Sequence, residues 1–276
     1  MRSIVRAGRV TEGVYRVATP SKAELTVEAG AYERPGRSAG PAPMELMLAS
    51  LVTCAGSTIE SVLAKMRQPV TGLNVVAEGV RSESVPRVYT SILLEFQVAS
   101  AAPEDRLHRA IEVTERTCSA SVMLSRVVDM SHRLVVVREV EAERTRPLRQ
   151  QVLRPHQSLD ELAAEEDPAA TWLAALTDDA VVGTVSVAPE ASPDEATAAP
   201  FRLRAMTTAT EFRGRGLGAV LLEAALASAR AGGADSVWCS ARAPVVDFYL
   251  RAGFSATSQP YEVPHIGPHV RMSRPL

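Results

Sequence analysis

The run Arg213-Gly214-Arg215-Gly216-Leu217-Gly218 sets three glycines between a strand-like segment, Phe201 to Thr208, and a helix-like one, Ala219 to Arg230. No other feature limits the fold as much. The first N–H groups of a helix lack intrahelical partners and lie at the positive end of its dipole. Glycine lets that backbone come close enough for a diphosphate to lie against it. Beyond the loop, Leu217, Val220, Leu221, Ala224 and Ala225 fall at i, i+3, i+4, i+7 and i+8, which docks one helix face on a sheet. Arg213 and Arg215 add charge suited to phosphate oxygens. A dinucleotide site fits less well, because the glycine spacing is G-x-G-x-G and Asp235 precedes the strand Ser236-Val237-Trp238-Cys239 instead of ending it.

Thirty residues on comes Phe248-Tyr249-Leu250-Arg251-Ala252-Gly253-Phe254. With the run Trp238 to Arg242 and the tail Pro264 to Met272, this half resembles the GNAT family of N-acetyltransferases. The resemblance implies acetyl-CoA as cosubstrate and a primary amine as acceptor; a small amine or amino-acid-like metabolite is expected over a protein terminus because the sequence shows no peptide groove. It assigns Arg213, Gly214, Arg215, Gly216, Leu217 and Gly218 to the pyrophosphate and Tyr249 to protonation of the departing thiolate. It also implies that backbone groups of Met206 and Thr208 pair with the pantetheine arm like one more strand. An attacking amine must be neutral, so a base must take its proton. Phe201 to Thr208 holds no carboxylate, and Glu211 reads as an acid at a helix N-terminus. His265 and His269, which titrate near neutral pH, are the candidate bases.

The first half carries a different pattern. Gly40-Pro41-Ala42-Pro43-Met44-Glu45-Leu46 leads through prolines into an apolar helix that contains Cys54, and apolarity nearly all round predicts burial. A second helical stretch begins near Pro103 and ends at Cys118. A free cysteine also packs as a small hydrophobe, so Cys54, on one face with Met47, Leu51 and Thr58, suits a core position too. The spacing and the lead-in resemble the OsmC/Ohr family of thiol peroxidases. That resemblance implies a peroxidatic Cys54, a resolving Cys118, an organic hydroperoxide, a thiol reductant and a homodimer. Glu45 would hold an arginine beside the thiolate, with Arg16 and Arg37 as candidates. On a straight helix Glu45 sits about 13 Å and half a turn from Cys54, so it reaches that thiol only across a kink or in a partner subunit.

The expected architecture is α+β: an OsmC-like α+β domain at 1–138, a linker at 139–149, and a GNAT α/β domain at 150–276 with a mixed, mostly antiparallel sheet. Ser158 and Glu161 form a capping box, and strands are expected at Thr171–Leu176 and Val181–Val187. A net charge of −2 with no basic block argues against nucleic acid as a partner. No secretory signal is expected at Met1 to Arg6, and no apolar run matches a bilayer. Three cysteines then point to a reducing cytoplasm and no membrane. No metal site is expected, since His265/His269 is the only short ligand spacing. Two alternatives stand: an OsmC-like half that only dimerises, and a GNAT half that senses CoA.

Overall fold

The computed structural model describes residues 3–31, 36 and 38–276. Strands β1 (Arg6–Thr11), β2 (Val14–Ala18) and β3 (Glu24–Glu28) make a small antiparallel sheet. Helix α1 (Pro43–Lys65) starts with Pro43, whose missing N–H would have no partner there, and the Glu45 carboxylate accepts from the Ala42 N–H at 2.7 Å. Leu51, Ala55, Ile59 and Leu63 form its buried stripe. The burial expected on every side is not found, and Met47 is 41% exposed. By length and composition α1 could cross a membrane; here its stripe packs on β4 (Gly72–Arg81), α2 (Glu104–Thr117) and α3 (Ser119–Leu124). Strand β5 (Tyr89–Ala99) pairs antiparallel with β4, and β6 (Asp129–Glu139) returns parallel to β5.

The second half contributes α4 (Ala142–Val152), α5 (Leu159–Ala164), β7 (Thr171–Thr177), β8 (Ala180–Pro189) and β9 (Pro200–Thr208). It continues with α6 (Leu217–Ala231), β10 (Ser236–Arg242), α7 (Val246–Arg251), β11 (Ser255–Ala256), β12 (Tyr261–Val263) and β13 (Gly267–Pro275). The expected stripe on α6 is buried, and Ser158 and Glu161 close the capping box at α5.

The halves are not separate bodies on a tether. Strands β6 and β7 pair antiparallel from Val136↔Leu176 to Glu139↔Leu173. This joins a ten-stranded sheet in the order β11-β13-β10-β9-β8-β7-β6-β5-β4, with β12 on β13. Only β5–β6 and β9–β10 are parallel among its pairs. The cores divide by sheet face, not by half. Ala99, Val135 and Val137 join Leu173, Val185 and the α6 residues on one face. Ala174 and Leu176 join Leu94, Phe96 and α1 on the other.

The linker expected at 139–149 is corrected accordingly. Glu139 ends β6 and most of the rest is α4, which continues through Pro147. Its buried Thr145, Leu148 and Arg149 explain why the proline is tolerated. Arg149 lies over the Trp172 ring and, with Arg146, grips Glu166 at 2.6 and 2.9 Å. Tertiary packing here outweighs a local signal that disfavours helix.

Candidate active site

Helix α6 opens from the glycine loop and lies across β4 to β9, so the loop stands above the join of the two halves. Gly214 and Gly216 have φ of 73° and 83°, the left-handed region that side chains disfavour. A Cβ on Gly216 would also meet Asn74 Nδ2 at 2.6 Å. The N–H groups of residues 214 to 218 have no hydrogen-bond partner among the described residues. They form the row of donors that a diphosphate requires.

The loop is held from below by the first half. Asn74 Nδ2 and Gln97 Nε2 both donate to the Arg215 carbonyl at 3.0 Å. Gln97 also donates to Glu95 at 2.8 Å, and Glu95 is fully buried. The Arg215 guanidinium, expected on phosphate, instead bonds Glu78 at 2.7 Å and pairs with Glu95 at 3.2 Å. Arg133 donates to the same Glu95 oxygen, Oε2, at 3.1 Å. The hydrogen bond from Arg215 holds the Glu78 carboxyl below its ordinary value. Arg215 thus has its guanidinium committed to carboxylates and only its N–H unpartnered, while Arg213 is exposed, with no carboxylate in ion-pair range among the described residues.

Strands β9 and β10 pair in parallel only as far as Leu203↔Cys239, after which they part. Ala205 adopts φ 52° at the irregularity between β8 and β9, so the strand bulges where it separates. Past that point no strand among the described residues pairs with the β10-facing edge of β9, the stretch that holds Met206 and Thr208. Tyr249 on α7 is buried, its hydroxyl 3.6 Å from Met206 Sδ of β9 and near the Cys239 thiol. Burial pushes the Tyr249 phenol well above its ordinary value and the Cys239 thiol up to about 12. Both keep their protons at neutral pH.

By strand alternation, Val237, Cys239 and Ala241 face α6, while Ser240 and Arg242 face the opposite way. His269 lies opposite Arg242 and Tyr261 opposite His269, so these three share that second face. His269 is buried and its Nδ1 is 2.8 Å from the Gly267 carbonyl, which requires the proton on Nδ1 and leaves Nε2 as the basic nitrogen. His265 is exposed in the β12–β13 turn, its ring 5.5 Å from His156.

In the first half, Cys54 is half-buried and Cys118 fully buried; both are free thiols within hydrogen-bonding reach of each other. Burial raises the Cys118 thiol, but the adjacent Ser121, Cys54 and Ala120 N–H together outweigh it and leave it below the ordinary thiol value. Among the described residues, no arginine takes part in that shift. Glu45 caps α1 through Ala42, Arg16 is exposed on β2, and Arg37 lies outside the described residues.

A glycine loop with free N–H donors beside a split in a mixed sheet defines an acyl-CoA-dependent acyltransferase. The family model described as acetyltransferase (GNAT) domain matches residues 137–276, and the one described as OsmC-like protein matches 36–133. The chain belongs to the GNAT acetyltransferases and carries an OsmC-like domain ahead of that one. The uncharacterized N-acetyltransferase YitI of Bacillus subtilis (strain 168) is 30% identical over 145 residues, which are 52% of this chain and 97% of YitI. Protein YhfA of Escherichia coli (strain K12) is 34% identical over 99 residues, 35% of this chain and 74% of YhfA. A solved OsmC-like protein from Mycoplasma pneumoniae superposes with a TM-score of 0.45 at 17% identity, over 49% of this chain and 97% of that one.

Proposed function

We propose that the protein transfers acetyl from acetyl-CoA to a primary amine. The observation that carries this is the row of free N–H groups at residues 214 to 218, in line with the open edge of β9. The diphosphate lies on those donors and the pantetheine arm pairs with Met206 and Thr208 in the split. His269 Nε2 takes the proton of the incoming amine. The amine nitrogen then bonds to the thioester carbon, the C–S bond breaks, and the sulfur receives the Tyr249 proton. Nucleophile and leaving group enter and leave on opposite faces of the sheet.

The test is release of free CoA thiol from acetyl-CoA with a panel of primary amines. Tyr249→Phe is expected to lower kcat roughly a hundredfold while KM for acetyl-CoA changes less than about twofold. Tight acetyl-CoA binding with no amine-dependent release would make this half a sensor and contradict catalysis.

A second activity is favoured by the closeness of the two free thiols, Cys54 and Cys118, and by the lowered value of the latter. A thiolate of the pair attacks a hydroperoxide oxygen and releases the alcohol; the resulting sulfenic acid condenses with the other thiol, giving a disulfide and water. A thiol reductant completes the cycle, which suits a reducing compartment. The exposed face of α1 and the wholly exposed β1 fit burial in a homodimer. Light scattering on the reduced protein, followed by cumene hydroperoxide and intact mass, tests both. A dimer that loses two thiols, Cys54 and Cys118 together, is expected. A monomer, or equal oxidation of Cys239, would contradict this reading.

A further inference from the structure

The face of the sheet that carries His269 is rich in arginine, and most of these cations have a carboxylate of their own. Arg149 holds Glu166 at 2.6 Å, Arg202 and Arg204 hold Glu190 at 2.6 and 2.8 Å, and Arg271 holds Asp194 at 2.5 Å. Two do not. Arg154, in the turn between α4 and α5, and Arg242, at the end of β10, are half-buried with no carboxylate in ion-pair range among the described residues.

They also converge. Arg242 Nη2 donates to the Leu153 carbonyl at 2.8 Å, and Arg154 Nη1 reaches the same oxygen at 3.4 Å. Burial lowers both guanidinium values, and Arg242 lowers that of Arg154 further. Glu165 acts on Arg154 only from a distance, and its carboxylate is taken by Gln157 at 2.6 Å. Two like charges drawn together out of water disfavour each other unless an anion joins them. A neighbourhood that satisfies four arginines and leaves this pair open is built for an anion from outside.

The position gives the anion its role. Arg242 lies three residues beyond the last β9–β10 pair and opposite His269, on the face from which the amine would approach. Building on the proposed acetyl transfer, we infer that Arg154 and Arg242 seat an anionic group of the acceptor, so the substrate is an amine that also bears a carboxylate or a phosphate. The guanidinium fork suits two oxygens of either group and would turn the amine toward His269. Neutral amines would lack this anchor.

The experiment uses the full chain and matched probes: L-amino acids against their carboxamides, and O-phosphoethanolamine against ethanolamine. Calorimetry first measures acetyl-CoA affinity. Each probe is then scored by CoA thiol release and by the rise in melting temperature of the CoA-bound protein. Acids are expected to exceed their neutral partners in both readouts, and whether amino acids or phosphoethanolamine do so identifies the anion. Arg154→Gln and Arg242→Gln should each weaken the favoured acid roughly ten- to a hundredfold, with acetyl-CoA affinity unchanged as the check on folding. Arg154→Lys should recover part of the loss. If acetyl-CoA binds but acids show no preference in either readout, or the variants keep it, the anion seat is refuted and the transferase reading stands. If acetyl-CoA does not bind, both fail.

Discussion

Arg215 shows how the task of a loop residue can be set by partners far away in the chain. Its position in the glycine loop suggests a phosphate ligand, yet Glu78 and Glu95 take its guanidinium from 137 and 120 residues away. No local pattern reveals partners at that distance. Asn74 and Gln97, which fix the Arg215 carbonyl, belong to a strand pair that reads as ordinary sheet and carries no motif. The glycines themselves were legible because their requirement is local, as φ at 214 and 216 confirms. Asn74→Ala removes one of the two hydrogen bonds on that carbonyl, so KM for acetyl-CoA is expected to rise roughly three- to tenfold with kcat little changed. Steady-state kinetics at saturating amine measure this. An unchanged KM would mean that the loop holds its shape without the first half.

At the scale of elements, what could be read depended on whether the signal was periodic or relational. The stripe on α6, the capping box at Ser158 and Glu161, and the hairpin β7–β8 follow from residues within one turn or one strand pair. Helix α4 did not, because its charges and Pro147 resemble a linker until Glu166 and Trp172 are placed around it. The bulge at Ala205 had no glycine or proline to announce it, although it marks where β9 opens. Helix α1 is the converse case: its composition called for burial that one chain supplies on a single stripe. The pair Arg154 and Arg242 was equally silent, since a lone arginine in a turn and another at a strand end acquire meaning only when their shortage of carboxylates can be seen.

The whole molecule explains why two domains recognisable by motif behave as one body. The matches to the two families meet within β6, the strand that carries the sheet from one half into the other. Helix α6 spans that join, both cores cross it, and the buried Glu95 anchors the loop from the far side. Such a structure should unfold cooperatively, and a ligand on the loop should stabilise all of it, by about 2.7 kcal/mol at a hundred times its dissociation constant. Differential scanning calorimetry with and without CoA is therefore the most direct measurement. A single transition, moved upward by several degrees with CoA, is expected. Two transitions, of which CoA moves only one, would contradict the claim that the OsmC-like half helps to build the acyl-CoA site.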